Sequence, residues 1–169
     1  RHDDRPIKRA KASRAPKHRI LIVCEGKKTE PFYFKKFQHA ARNSRVHVKA
    51  IGPAGVPLSV VQAAIAEMER ADLDAKSQKD ENLRWDQVWA VFDIDDHPNV
   101  EQARELAKQK KIWLAVSNPC FELWAVLHFA DQRSHIERGK LRSLLKTHMP
   151  DYDKELDFET MHPNYQDAV

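Results

Sequence analysis

The fold of this chain is decided by residues 88–96, Val88-Trp89-Ala90-Val91-Phe92-Asp93-Ile94-Asp95-Asp96. This is an apolar run too short for a helix, and it ends abruptly in carboxylates. Residues 19–26, Arg19-Ile20-Leu21-Ile22-Val23-Cys24-Glu25-Gly26, repeat the pattern. Such runs are typical of strands in a buried parallel sheet. Since ligands bind beyond the carboxyl ends of these strands, we expect both acidic ends to meet at one edge.

The remaining chain alternates strand and helix patterns. Strands are predicted over 19–24, 46–51, 86–92 and 112–117, and helices over 29–42, 58–75, 98–110, 121–129 and 139–148. Helices that connect successive strands produce right-handed βαβ units with parallel strands. We therefore predict an α/β fold, with a mainly parallel sheet of about four strands flanked by helices and a helical C-terminal part.

Three local features refine this prediction. Thr29 is a candidate cap for the first helix, since threonine accepts hydrogen bonds from free backbone amides there. Residues 76–84 are polar and read as a loop. On the first helix, the inward aromatic residues predicted from their spacing are Phe32, Phe34 (or Tyr33) and Phe37.

Composition limits the class of protein. A chain of 169 residues fits one domain, and 41% hydrophobic with 32% charged residues indicates a soluble globular protein. No apolar run approaches the roughly 20 residues that span a bilayer, and the N-terminus lacks a secretory signal. Cys24 and Cys120 have no metal-binding spacing, which favours reduced thiols in a cytoplasmic protein. Cys24 is expected to pack at its strand end.

The positive charge is concentrated at the N-terminus. Residues 1–19 hold eight Lys or Arg and two Asp, a net charge of +6, so the other 150 residues carry −2 of the total +4. A basic arm of this kind suits the phosphate backbone of a nucleic acid. A solvated leader without a partner is the equally weighted alternative.

The acidic ends predict a metal site. Asp93 and Asp95 are two residues apart, so they project to one side and can share a cation. Several acids together are costly unless a cation neutralises them, and oxygen ligands suit Mg²⁺ or Mn²⁺. The metal ligands predicted are therefore Glu25, Asp93, Asp95 and Asp96. Glu25 alone could equally be a surface residue, and Asp96 or His97 could cap the next helix.

Four further residues are candidates for substrate or phosphate contact. Lys27 and Lys28 lie near a helix N-terminus, which favours anions, although loop lysines are often only solvated. Asn118 and Glu122 follow another strand at the same predicted edge. Asn118 could bind substrate or cap a helix, and Glu122 could orient a ligand. His128 is expected to be a hydrogen-bonded core histidine.

Three blocks of sequence resemble one known family. Residues 20–34 are similar to the opening motif of RloB-type proteins, and residues 91–97 and 117–124 resemble its other two signatures. The resemblance covers about residues 18–130 and implies a Toprim fold, with Glu25 as general acid or base and Asp93 and Asp95 as Mg²⁺ ligands. It also implies a prokaryotic setting and an AAA-type ATPase partner.

The resemblance also suggests an organisation along the chain. Residues 1–17 would form a basic flexible tail, residues 18–130 a Toprim-like catalytic domain, and residues 131–169 a helical or irregular extension. Members of the family tend to continue with a further C-terminal helix, so truncation relative to them is one of the interpretations that the resemblance leaves open.

The leading functional hypothesis is a Mg²⁺-dependent nuclease that cuts RNA, with tRNA among the candidates, or DNA in prokaryotic phage defence. Its catalytic residues would be Glu25, Asp93 and Asp95. The alternative is a non-catalytic module that binds nucleic acid or an ATPase. A phosphohydrolase with an aspartate nucleophile is disfavoured, because its Asp-x-Asp usually follows the first strand. A nicotinamide site is excluded by the absence of GxGxxG. The oligomeric state stays open.

Overall fold

The computed structural model describes residues 18–42, 44–50, 56–94 and 99–169. The strands are β1 (Ile20–Cys24), β2 (Val46–Ala50), β3 (Gln87–Asp93) and β4 (Trp113–Ser117). The helices are α1 (Thr29–Ala40), α2 (Pro57–Gln78), α3 (Val100–Lys110), α4 (Glu122–Leu127), α5 (Arg138–His148) and α6 (Phe158–Met161). Two 3₁₀ turns, Glu81–Leu83 and His162–Asp167, complete the order.

The four strands form one parallel sheet in the order β2-β1-β3-β4. This confirms the predicted α/β fold, and the arrangement is consistent with a single Toprim-like domain. Each of the first three strands is followed by a helix that returns the chain to the opposite end of the sheet, as parallel pairing requires. The carboxyl ends of β1, β3 and β4 therefore lie at the same edge.

The sheet separates two apolar clusters. On one face, α2 and α3 bury aliphatic and small residues together with Phe92, which has no exposed surface. On the other face, α1, α4 and α5 bury an aromatic-rich cluster. Because side chains alternate along a strand, neighbouring residues of β3 contribute to different clusters. Val91 packs on the aromatic side and Phe92 on the aliphatic side.

The segment after α4 is part of the same core. Its buried apolar side chains pack in the aromatic-rich cluster with α1 and α4, and they are Leu141, Leu145, Met149, Tyr152, Leu156, Phe158 and Met161. Residues 131–169 therefore help to fix the positions of α1 and α4. The predicted basic tail, residues 1–17, lies outside the described residues.

Three local predictions were wrong. Helix α2 continues to Gln78 instead of ending near residue 75, and Lys79 stops it in the left-handed conformation at φ 53°. Thr29 does not cap α1, because its hydroxyl donates to the carbonyl oxygen of Lys154 at 3.0 Å. Phe32 does not point inward: it is 37% exposed, and Tyr33 is the buried aromatic residue.

No helix among the described ranges is long and apolar enough to cross a membrane.

Candidate functional site

A charged cleft lies at the carboxyl edge of the sheet. Its volume is about 440 Å³. Loop residues after β1, the start of α1, the end of β3, α4 and α5 all contribute to it. The lining residues are Glu25, Gly26, Lys27, Lys28, Thr29, Glu30, Asp93, Phe121, Glu122, Arg138, Arg142 and Lys154. The structure thus brings together five of the sequence-predicted site residues, Glu25, Lys27, Lys28, Asp93 and Glu122.

Asp93 ends β3 at the centre of this cleft. Its backbone N–H donates to Oε2 of Glu25 at 3.3 Å, so the two predicted acids are adjacent. Its Oδ2 lies 3.6 Å from Nη2 of Arg138. Its Oδ1 is buried and makes no hydrogen bond with any described residue. Oδ1 of Asp93 therefore has no hydrogen-bond donor among the described residues, although it could accept one.

The surroundings of Asp93 disfavour its negative charge. Burial raises its pKa to about 8, the carboxylates of Glu30, Glu122 and Glu25 raise it too, and the Arg138 guanidinium opposes them. A bound cation would remove this penalty, because it adds positive charge where several acids crowd together.

Glu30 is a buried acid of this site that the sequence analysis missed. It lies in the first turn of α1 and is 7% exposed. Burial raises its pKa above the ordinary range, and the negative charges of Glu122 and Glu25 raise it further. Gly26 makes room for it, since a Cβ atom at residue 26 would lie 2.5 Å from Oε2 of Glu30. The glycine after β1 therefore allows a second carboxylate beside Glu25.

Glu122 is held more firmly than its neighbours. Its Oε1 accepts hydrogen bonds from Nε of Arg142 at 3.0 Å and from the Tyr152 hydroxyl at 2.9 Å. Burial alone would raise its pKa, but hydrogen bonds from Cys120, its own backbone, Tyr152 and Arg142 bring the pKa below the ordinary value. Glu122 is therefore ionised, and it fixes the guanidinium of Arg142 at the wall of the cleft.

Basic side chains come from two separate parts of the chain. Lys27 and Lys28 are exposed on the loop after β1. Arg138 and Arg142 lie four residues apart on α5, which places them on one face of the helix. Arg138 also donates to the carbonyl oxygen of Pro119 at 3.1 Å. The i, i+4 arginine pair is a signal that sequence reasoning could have found, although the same spacing is common on solvated helices.

The remaining predicted residues lie elsewhere. Asp95 and Asp96 lie outside the described residues. Asn118 does not line the charged cleft and does not cap α4, which begins at Glu122. Instead it borders an apolar cavity of about 510 Å³ between α1, α4 and the end of β4. Phe121 lines both spaces, so the cavity and the cleft are neighbours.

The other singled-out side chains are structural. Cys24 and Cys120 are fully buried and free, and burial raises the pKa of both thiols, so neither is a ready nucleophile. His128 is 2% exposed, and its Nδ1 donates to the carbonyl oxygen of Trp124 at 2.8 Å. His128 is therefore a hydrogen-bonded core residue, which confirms the interpretation of its sequence context.

The acids of the cleft suit a divalent cation in donor type and charge. Within the described ranges, no three His, Cys, Asp or Glu side chains are already grouped to hold a metal ion. However, Glu25 and Asp93 are adjacent, Glu30 acts on both electrostatically, and one oxygen of Asp93 has no described partner. Hard oxygen ligands of this kind favour Mg²⁺ or Mn²⁺ over softer metals.

Comparison with known proteins assigns a family. The family model described as RloB-like protein matches residues 20–169, which includes every described residue of the cleft. Neither the curated proteins nor the solved structures contain a match to this chain.

Proposed function

Because this chain belongs to the RloB-like family, we propose that it is a Mg²⁺- or Mn²⁺-dependent nuclease of Toprim type. Its substrate would be RNA, with tRNA among the candidates, or DNA. Its setting would be the cytoplasm of a prokaryote, in phage defence. The partner expected from the family resemblance is an AAA-type ATPase, which would restrain or direct the cutting.

The observation that carries the proposal is the environment of Asp93. Asp93 is half-buried, its Oδ1 is buried without a described partner, and three further acids lie near it, so a bound cation would stabilise its charge. Strongly perturbed ionisable groups in a cleft are characteristic of functional sites. The basic residues at the rim then suit a phosphate that approaches this cation.

Glu25 and Asp93, together with Asp95 and Asp96, which follow Asp93 in the sequence, would hold the metal. When bound, it would stabilise negative charge on the phosphoryl oxygens. The chain's own residues do the rest. Lys27, Lys28 and Arg138 would bind the phosphate backbone.

Glu25 would accept a proton from the attacking water, whose oxygen forms the new bond to phosphorus. The bond from phosphorus to the leaving oxygen breaks, and that oxygen takes up a proton from solvent water. Glu122 contributes by positioning, because it holds Arg142 toward the cleft. Residues 1–17, with their concentration of Lys and Arg, would add sequence-independent attraction to the polymer.

A second function is a binding module that retains the acids but does not cut. It is favoured by the guanidinium of Arg138, whose Nη2 lies 3.6 Å from Oδ2 of Asp93 and balances that carboxylate without a metal. Such a module would bind nucleic acid or the ATPase and report on its state. Tight binding that does not depend on a metal, with no cleavage when Mg²⁺ or Mn²⁺ is supplied, would support it.

The test is a cleavage assay on tRNA, single-stranded RNA, and single- and double-stranded DNA, with Mg²⁺, Mn²⁺ or EDTA. We expect metal-dependent cleavage by the wild type, reduced at least about a hundredfold in Asp93→Ala and Glu25→Ala. Asp74→Asn changes an exposed acid on α2 and should cut normally. Unchanged cutting by both site variants would reject the assignment.

A further inference from the structure

We propose that the apolar cavity beside the charged cleft is a nucleobase pocket, which receives one unpaired base of the nucleic acid whose phosphate lies in the cleft. This inference rests on the proposed function, and it specifies the substrate as a strand with at least one base free to leave its stack. The occupant is a flat heterocycle attached to an anionic backbone.

The walls of the cavity have the right chemistry. Its volume of about 510 Å³ falls within the usual range of small-molecule sites, roughly 300–1,000 Å³. Six aromatic side chains line it, and they are Tyr33, Phe34, Phe37, Phe121, Trp124 and Tyr165. Bases of single strands stack on aromatic side chains of this kind with little dependence on sequence.

Strand β4 lies at the edge of the sheet and offers a ligand one backbone donor and one backbone acceptor. Ile94 N–H donates to the carbonyl oxygen of Ser117 at 2.7 Å, so Ser117 faces β3. In a parallel ladder the next residue points to the other side, and Val116 therefore directs its N–H and C=O away from β3. No described strand pairs with that side of β4. Val116 lines the cavity, and its donor and acceptor match those on the edge of a base.

Continuity with the cleft decides between occupants. Phe121 lines both spaces, and Asn118 borders the cavity at the end of β4, one residue after Ser117, which pairs with Asp93. A ligand that fills the cavity and reaches the cleft must be apolar and flat at one end and anionic at the other. A nucleotide meets both conditions. A peptide strand added to β4 would use the backbone of Val116, but it has no need of a phosphate-binding cleft.

Binding without cleavage tests this directly. The probe is a short labelled single-stranded RNA, titrated in EDTA, together with a set in which each base in turn is removed to leave an abasic sugar. Since stacking of one base contributes about 1–3 kcal/mol, we expect roughly tenfold weaker binding when the base that occupies the pocket is missing. Equal affinities across the whole set would overturn the pocket.

Two matched substitutions locate the effect. Ala115→Leu fills the floor of the cavity, and Ala63→Leu adds the same atoms to a half-buried alanine on the opposite face of the sheet. We expect the Ala115→Leu variant to bind the intact and abasic strands with equal affinity. Its affinity for the abasic strand should equal that of the wild type. Ala63→Leu should keep the difference. Equal losses in both variants, or no loss in Ala115→Leu, would overturn the location.

A second pair tests the backbone. Val116→Pro removes an N–H that points to the open edge, where proline is tolerated. Leu114→Pro removes the equivalent N–H two residues earlier, away from the cavity. We expect only Val116→Pro to weaken the preference for the intact strand. The stacked Trp89–Trp113 pair, at 5.4 Å between ring centroids, offers the competing aromatic surface, so a loss in Trp113→Ala instead would refute the cavity.

Three further outcomes distinguish the proposed nuclease from the proposed pocket. They also distinguish a nucleic acid strand from a free nucleotide as the ligand. Base-dependent binding without any Mg²⁺-dependent cleavage would reject the nuclease and keep the pocket. Equal cleavage of the intact and the abasic strands would reject the pocket and support the nuclease. Competition by a nucleoside monophosphate as strong as that by the oligonucleotide would support the pocket and identify a free nucleotide as its source of bases.

Discussion

The two faces of the sheet bury different chemistry. The face covered by α2 and α3 is packed with aliphatic and small side chains. The buried polar or charged side chains of the described residues lie on the other face, and they are Glu30 on α1, Glu122 on α4, and His128 directly after α4. The two faces therefore have different roles. One face stabilises the sheet, and the other holds ionisable groups whose burial opposes stability and perturbs their pKa values.

Phe92 and Asp93 are consecutive residues of β3, so substitutions at these two positions compare the two faces directly. Phe92→Ala should lower the free energy of unfolding by about 3–5 kcal/mol, because a fully buried ring leaves a cavity on the α2 and α3 side. Urea denaturation followed by circular dichroism measures the change. Asp93→Asn is the matched variant, and its unfolding midpoint should not fall, since it removes a charge that burial disfavours. Similar destabilisation by both would mean that the two faces are not separate.

His128 tests the stability of the polar face as a function of pH. Burial lowers its pKa, His162 lowers it further, and the Trp124 carbonyl and Asp167 oppose them. The unfolded chain therefore binds a proton more readily than the folded chain. Its stabilising contribution is complete above the unfolded pKa of about 6.5 and is lost as the pH falls through the folded value. We therefore expect the free energy of unfolding to decline as the pH is lowered through this range.

The comparison for this prediction is His128→Asn, which keeps a donor near the position of Nδ1 but cannot titrate. Thermal unfolding of both proteins between about pH 7.5 and pH 5 would measure the difference, a range chosen around the ordinary histidine pKa. The variant should show a shallower decline. Parallel curves would show that other groups govern acid sensitivity on this face.

The smallest expected effects come from two glycines. Gly26→Ala forces the Glu30 carboxyl away from its place, because the new Cβ would lie 2.5 Å from Oε2. Gly139→Ala meets nothing within 4 Å in the first turn of α5. We expect Gly139→Ala to stabilise the protein by roughly 0.5 kcal/mol through helix propensity. Gly26→Ala should change stability by about as little but reduce cleavage. Normal cleavage by Gly26→Ala would remove Glu30 from the site.

The elements of the fold could be predicted because their signals are local. The apolar runs of β1 and β3, each ending in an acid, fix the sheet and bring Glu25 beside Asp93 without any knowledge of packing. Helix ends were harder. Lys79 ends α2 in a left-handed conformation that is usual for glycine. The sequence therefore has no glycine there from which the end of the helix could be predicted.

The site was predicted only in part, because half of it depends on tertiary packing. Arg138 reaches Asp93 from α5, 45 residues later in the chain, and its local pattern is that of any basic helix. Asn118 and Glu122 follow the same strand, yet they diverge to the apolar cavity and the charged cleft on either side of Phe121. The path of the turn decides this separation, and spacing alone does not encode it.

The contact between Arg138 and Asp93 has a consequence for biosynthesis. The acids at the ends of β1 and β3 leave the ribosome before the arginines of α5, at rates of about 5–20 residues per second. Until α5 emerges and docks through Leu141 and Leu145, the acidic centre lacks the guanidinium groups that balance it. The nascent protein therefore gains the full positive charge of its cleft seconds after the acids, once α5 has been translated.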